Sequence, residues 1–177
     1  GRGGNFNNIC EYFKFVKNIS VVLLVTNNLG SMSKKIADRN KIDSFYANKA
    51  ILLSGKLNRV LDEKSIDLIV LAGFILKVPD TLVKKYEKKM INLHPSLLPK
   101  FGGKGMYGDN VHKAVLKHNE KFTGITIHYV DEVYDNGEVI FQKKCDLALD
   151  ESLVSLREKI RLLEYEFFPK IIEKLLN

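Results

Sequence analysis

The sequence predicts an α/β domain: a mostly parallel central sheet, an antiparallel hairpin towards the C-terminus and a long closing helix. Three observations predict it. The runs "VVLLVT" (21–26), "IDLIVLAGF" (66–74) and "MINL" (90–93) are continuously apolar and rich in β-branched residues, as strands buried on both faces are. Segments with helical spacing separate them, which is how parallel strands are connected. Beyond residue 120 the texture changes, because "FTGITIHYV" (122–130) alternates and is followed, after a glycine-bearing turn, by "VIFQKK" (139–144).

Taken in order, Phe6, Ile9, Phe13 and Val16 predict a helix over 5–17, entered from the glycine turn "GRGGN". A strand follows at 21–26, a helix from Ser31 to Asn40, a short strand from Ile42 to Phe45 and a helix from Lys49 to Lys64. After the strand at 66–74, Pro79 opens a helix to about Lys85, since its missing N–H is unneeded in a first turn. "FGGKGMYGDN" holds four glycines in ten residues and reads as a loop, with a helix from Val111 to Lys117 beyond it. Leu156, Ile160, Leu163, Phe167, Ile171 and Leu175 form one stripe of a last helix over about 152–175, in which Pro169 is a site for a kink. No repeat or linker divides the 177 residues, which read as a single domain.

Composition narrows the function classes. Hydrophobic residues make up 45%, too many for a disordered chain, and no apolar run is long enough to span a bilayer. Cys10 and Cys145 have neither a disulfide framework nor metal-ligand spacing, which fits reduced thiols in a cytoplasmic protein. The net charge of +7 comes from scattered lysines, with no aromatic residues interleaved as a nucleic-acid groove requires. It suits a solvated surface or the attraction of small anionic substrates. No Cys-x-x-Cys or His-Glu-x-x-His motif occurs, and His112 and His118, six apart, do not share a helix face, so no metal is expected.

The chemistry-bearing residues cluster around "MINLHPSLLPK" (90–100). Asn92 and His94 lie two apart at a strand end, so their side chains leave the same face. An amide donor beside an imidazole can hold a carbonyl oxygen as it becomes tetrahedral. Polar residues also end strands without any function, and spacing alone does not separate these readings. Asp135 sits in a turn and can return a carboxylate to an imidazole, or simply make the turn; Asp131 and Glu132 are rival carboxylates. His128 lies opposite the face of Ile125 and Ile127 in its strand, and either reaches a site or packs inside. The Gly3, Gly4 and Asn5 backbone can cradle a phosphate at a helix start, although the turn matches neither the dinucleotide nor the nucleoside triphosphate fingerprint.

Four segments together carry a resemblance: "VLAGF" (70–74), "INLHPSLLPKF" (91–101), "GITIHYVDE" (124–132) and "DNGEVIFQ" (135–142). In order and over essentially the whole chain, they resemble the folate-dependent formyltransferases, in particular the branch that acts on glycinamide ribonucleotide in purine synthesis. The resemblance implies a three-layer, Rossmann-like formyltransferase fold. It implies 10-formyltetrahydrofolate as cosubstrate, glycinamide ribonucleotide as acceptor, no metal, no nucleic acid or membrane partner, and a monomer or weak homodimer in the cytoplasm. The family's catalytic trio falls on Asn92, His94 and Asp135, with His128 supporting. Gly3, Gly4 and Asn5 would hold the ribonucleotide phosphate. Leu71, Phe74, Leu76, Val78, Leu98 and Asp131, with Asp135 and the backbone of the 130–135 turn, would meet the folate, Ser96 to Pro99 would line the cleft, and Leu98-Pro99 is a candidate cis bond.

Some features depart from the pattern. The family begins with a strand leading into the glycine turn, so a first strand is expected before residue 1. Gly4 stands where "GRGSN"-like text has a serine, and Leu76 where many relatives have an arginine. "KFGGKGMYG" lacks the Arg-Gly-Ala-Ala-Pro text of methionyl-tRNA formyltransferases, and Pro95 occupies the place of a second histidine common in formyltetrahydrofolate hydrolases.

Overall fold

A computed structural model describes residues 3–177; Gly1 and Arg2 of the glycine turn lie outside the described residues. The chain divides into two compact units, one running to Asp67 and taking in Ile172–Asn177, the other Leu68–Ile171.

The first unit begins with α1 (Gly4–Phe13), entered from Gly3 at φ 72. A side chain at Gly3 would be strained by that φ and would also press on Ser33 Oγ at 3.0 Å and Ile36 at 3.1 Å, so the turn requires glycine. The helix ends at Phe13 rather than Lys17, and Val16 N–H returns to the Phe13 carbonyl in a turn. Next come β1 (Leu23–Thr26), α2 (Met32–Arg39) and β2 (Asp43–Tyr46). Ser31 caps α2 by accepting from Lys34 N–H, and β1 and β2 pair in parallel from Leu23 opposite Asp43. The single helix expected over 49–64 is two, α3 (Lys49–Leu53) and α4 (Lys56–Glu63). Gly55 at φ 73 is the reason: a left-handed glycine stops one helix and starts the next.

The second unit holds a four-stranded sheet in the order β3-β4-β5-β6. Its strands are β3 (Ile69–Leu71), β4 (Met90–His94), β5 (Phe122–Tyr129) and β6 (Val139–Asp146). β3 is much shorter than the apolar run 66–74, because Ile66 N–H caps α4 through the Leu61 carbonyl and Gly73 at φ 70 turns the chain away. β3 and β4 are parallel, whereas β5 is antiparallel both to β4 and to β6. The fold is therefore Rossmann-like with a mixed sheet, the expected hairpin being β5-β6. Met90, Ile91, Ile125 and Ile127 are almost wholly buried and form its core.

Three helices complete this part of the chain: α5 (Asp80–Lys85), α6 (Asp109–Lys117) and α7 (Leu153–Leu176). Pro79 stands at the N-cap of α5, just before the position expected for it. On α7 the buried stripe runs Leu156, Ile160, Phe168, Ile172, so after Leu163 it passes one residue beyond the sequence expectation. A 3.6-residue period makes both choices nearly equivalent, and Phe167 instead packs its ring on Phe141 at 5.1 Å. Among the described residues no helix is long and apolar enough to cross a membrane.

Candidate functional site

The site is built on the edge-to-edge register of β4 and β5. Asn92 pairs with His128 and His94 with Thr126, so the two-residue spacing on one strand meets the two-residue spacing on the next. Asn92, His94 and His128 thereby converge on one face. His94 and His128 are 3% and 2% exposed, which removes both imidazoles from bulk water.

Hydrogen bonds define the protons. His128 Nδ1 lies 2.7 Å from the Tyr129 carbonyl, which can only accept, so Nδ1 carries the hydrogen and Nε2 is left as an acceptor. Asn92 Nδ2 donates to that Nε2 at 3.1 Å and, over a longer 3.4 Å, to Asp135 Oδ1. His94 Nε2 donates to the Phe101 carbonyl at 2.8 Å, which leaves Nδ1 3.5 Å from Asp135 Oδ2. The Gly103 N–H donates to the same Oδ2 at 2.8 Å. Asp135, in a left-handed backbone conformation at φ 54, thus faces Asn92, His94 and His128 together. Its turn is organised by Asp131, whose carboxylate accepts from Val133 N–H and from Asn136 Nδ2.

Burial holds the His94 imidazole below its ordinary value, only partly opposed by the charge of Asp135 and the Phe101 carbonyl. It is therefore neutral at pH 7, with a bare Nδ1 towards the carboxylate. Burial works to raise Asp135, yet the polar groups around it, the Gly103 N–H on Oδ2 at 2.8 Å among them, outweigh that and hold the carboxyl below the usual range. An ionised carboxylate, a basic ring nitrogen and an amide donor then stand within reach of one another. That set can polarise a carbonyl and shift a proton.

Asn92, His128 and Asp135 of this cluster line a cleft; His94, behind them, does not. Of the residues expected to meet a ligand, Leu71, Phe74, Leu76, Val78, Asn92, His128, Asp131 and Asp135 line it. Leu98 does not; it is buried, and its N–H is bound to Thr126 Oγ1 at 3.0 Å. That threonine also donates to the Ser96 carbonyl and accepts from Gln142, so the 96–98 segment is held on the sheet by buried polar contacts. Leu98-Pro99 is cis. Gly3, Gly4 and Asn5 form the N-terminal turn of α1, in the other unit.

Val130, Val133 and Tyr134, in the 130–135 turn expected against the folate, also line the cleft, whereas sequence reasoning did not single out Lys77, or Phe101 and Gly103, whose backbone groups hold His94 and Asp135. The two backbone contacts leave no signal in side-chain identity. His112 on α6 is 7% exposed, while His118 at its end packs against Phe101, so the two do not share a face.

Comparison with known proteins points to one family. A family described as formyl transferase matches residues 1–172. The chain is 35% identical to the chloroplastic phosphoribosylglycinamide formyltransferase of Arabidopsis thaliana over 97% of its own length and 61% of that protein. It is 34% identical to the phosphoribosylglycinamide formyltransferase of Bacillus subtilis (strain 168), covering all of this chain and 91% of that one. It spans about three fifths of the plant relatives it matches. Among solved structures, the phosphoribosylglycinamide formyltransferase of Bacillus halodurans superposes with a TM-score of 0.90 at 32% identity, covering 100% of this chain and 92% of that one. Glycinamide ribonucleotide transformylase 1 of Geobacillus kaustophilus gives 0.89 at 34%, covering 100% and 95%.

Proposed function

From its membership of the formyl transferase family, we propose that this chain transfers the formyl group of 10-formyltetrahydrofolate to the amine of glycinamide ribonucleotide. One observation carries the reading: Asn92, hydrogen-bonded to His128 and Asp135, and His94, facing Asp135, stand together beside a cleft walled by Leu71, Phe74, Leu76 and Val78.

The amine nitrogen attacks the formyl carbon, a tetrahedral centre forms, and the bond to N10 of the folate breaks. The amine loses one proton and N10 gains one, so the balance needs a carrier rather than a net acid or base. Asn92 places an N–H on the developing oxyanion. Its 3.4 Å contact to Asp135 is the weaker of its two, and a substrate oxygen replaces it at little loss. His94 accepts a proton on Nδ1, facing Asp135, and the imidazolium then stabilises the oxyanion and returns the proton towards N10. Asp135 holds His94 in register and stabilises its charged form. His128 fixes the Asn92 amide through Nε2.

Leu71, Phe74, Leu76 and Val78 supply apolar contact for the pterin, and the backbone of the 130–135 turn reads its polar edge. Gly3, Gly4 and Asn5 hold the ribonucleotide phosphate through backbone N–H groups at the start of α1.

The test offers the purified protein 10-formyltetrahydrofolate with glycinamide ribonucleotide, initiator methionyl-tRNA or water as acceptor, and uses His94→Ala as the control. Formylated ribonucleotide alone, absent with the variant, supports the proposal. Formate release without an amine would favour hydrolysis, and formylated tRNA would move the substrate to another branch of the family.

A further inference from the structure

Phe101 is a non-glycine residue held at φ 58, a left-handed conformation that its side chain disfavours. Its carbonyl accepts the His94 Nε2 hydrogen at 2.8 Å. Its ring meets His118 edge-on, with centroids 5.3 Å apart at 66°. His118 is itself steadied at the end of α6, because Nδ1 donates to the Ala114 carbonyl at 2.8 Å. On the other side of Phe101, the Lys100 carbonyl accepts from Ser96 Oγ at 2.7 Å. The next two residues complete the brace. Gly102 packs so closely that a side-chain carbon there would meet Leu98 at 2.5 Å and Asp135 Cβ at 3.3 Å, and Gly103 N–H binds Asp135.

We infer that Phe101 is a positioning residue for His94: its carbonyl keeps the imidazole proton on Nε2, and the contact of its ring with His118 keeps that carbonyl in place. The inference rests on the proposed function only for its catalytic consequence. A neutral imidazole beside a carboxylate ordinarily turns an N–H towards it. Here Asp135 would draw the hydrogen to Nδ1, and Nδ1 could then no longer accept a proton. The Phe101 carbonyl, at a far better distance than the 3.5 Å to Asp135, wins that competition and leaves Nδ1 basic. The same three residues hold the carboxylate through Gly103, so one strained segment sets both partners of the pair. The strain is kept because a relaxed Phe101 would carry its carbonyl away from the ring.

The test combines nitrogen NMR of the histidine rings with kinetics of formyl transfer, comparing the wild type with His118→Ala, Phe101→Leu and, as the conservative replacement, His118→Phe. The expected result at pH 7 is a wild-type His94 protonated on Nε2 and bare on Nδ1. In His118→Ala and Phe101→Leu the hydrogen moves towards Nδ1, and kcat falls about tenfold with each KM within about twofold. The Phe101 carbonyl raises the His94 pKa, so its withdrawal shifts the acid limb of kcat to lower pH. His118→Phe restores both signatures. An unchanged tautomer and pH profile in His118→Ala and Phe101→Leu, or a loss of melting temperature alone, would overturn the inference. Because the NMR readout needs no turnover, a wild type that transfers no formyl group would count against the proposed function and leave the clamp to be judged by the tautomer.

Discussion

The floor of the cleft and its rim are built on opposite plans. On the floor, Asn92 and His128, with His94 beside them, leave two paired strands, the imidazoles are shielded from solvent, and their hydrogens are placed by neighbours. At the rim, Val133 and Tyr134 come from a loop and are 61% and 41% exposed. Under the proposed function, the contrast follows from what each region would do. A proton carrier misplaced by an ångström loses its function, whereas an apolar ring is gripped by any set of side chains that can close on it. Substitutions on the floor should therefore change kcat, and those at the rim KM.

The largest expected effects break the floor. His94→Ala and Asp135→Ala should each lower kcat about 10³-fold, within the span of general acid–base catalysis, with folate binding nearly intact. A double variant should lose little more than either single one, because the two act as a unit. Full additivity in the double variant would show that the residues work separately. Asn92→Ala removes one donor from the oxyanion and should cost about 10²-fold in kcat. A rise in KM with constant kcat would instead make Asn92 part of substrate binding.

The rim should respond differently. Phe74→Ala strips apolar area from the cleft wall and should raise the KM for the folate about tenfold, leaving kcat within about twofold. Leu76→Arg, which introduces the residue that the family resemblance leads one to expect there, should change that KM by less than about threefold if the backbone at this position makes the contact. A gain well beyond this would show that the side chain does.

The smallest effect separates the regions by pH. Burial holds His94, and His112 on α6, below the ordinary imidazole value. The unfolded chain therefore binds more protons than the folded one as pH falls below about 6.5, and stability must fall with it, by at most about 1.4 kcal/mol per proton per pH unit. Asp135, held below the ordinary carboxylate range, adds a second loss below about pH 3.8, where the unfolded side chain protonates first. His112→Leu should flatten the first decline in melting temperature. An unchanged slope would leave that decline to His94 or to groups elsewhere.

The two regions also differed in how far the sequence disclosed them. Asn92 and His94 were legible because a strand period of two puts them on one face, and "INLHPSLLP" is specific text. His128 was half legible: its strand was evident, but reaching Asn92 depends on the β4-β5 register. Strand lengths were read less well. The apolar run 66–74 supplies only Ile69–Leu71 to the sheet, since hydrophobicity does not reveal where a helix cap ends and a left-handed glycine begins. Gly55 split a helix for the same reason.

By itself, then, the sequence determined the alternation of helices and strands, a parallel element with a closing antiparallel hairpin and helix, and the residues able to do chemistry, but not the antiparallel pairing of β4 with β5. These depend on periodicity and side-chain identity, which are local properties. Only the tertiary structure decided which hydrogen each group carries and which faces meet. The His94 tautomer depends on the Phe101 carbonyl, seven residues on, and the surroundings of Asp135 on Gly103 N–H and two imidazoles from different strands. Backbone groups are the same at every position of a chain, so their contribution to a site becomes visible only when the fold brings them to it.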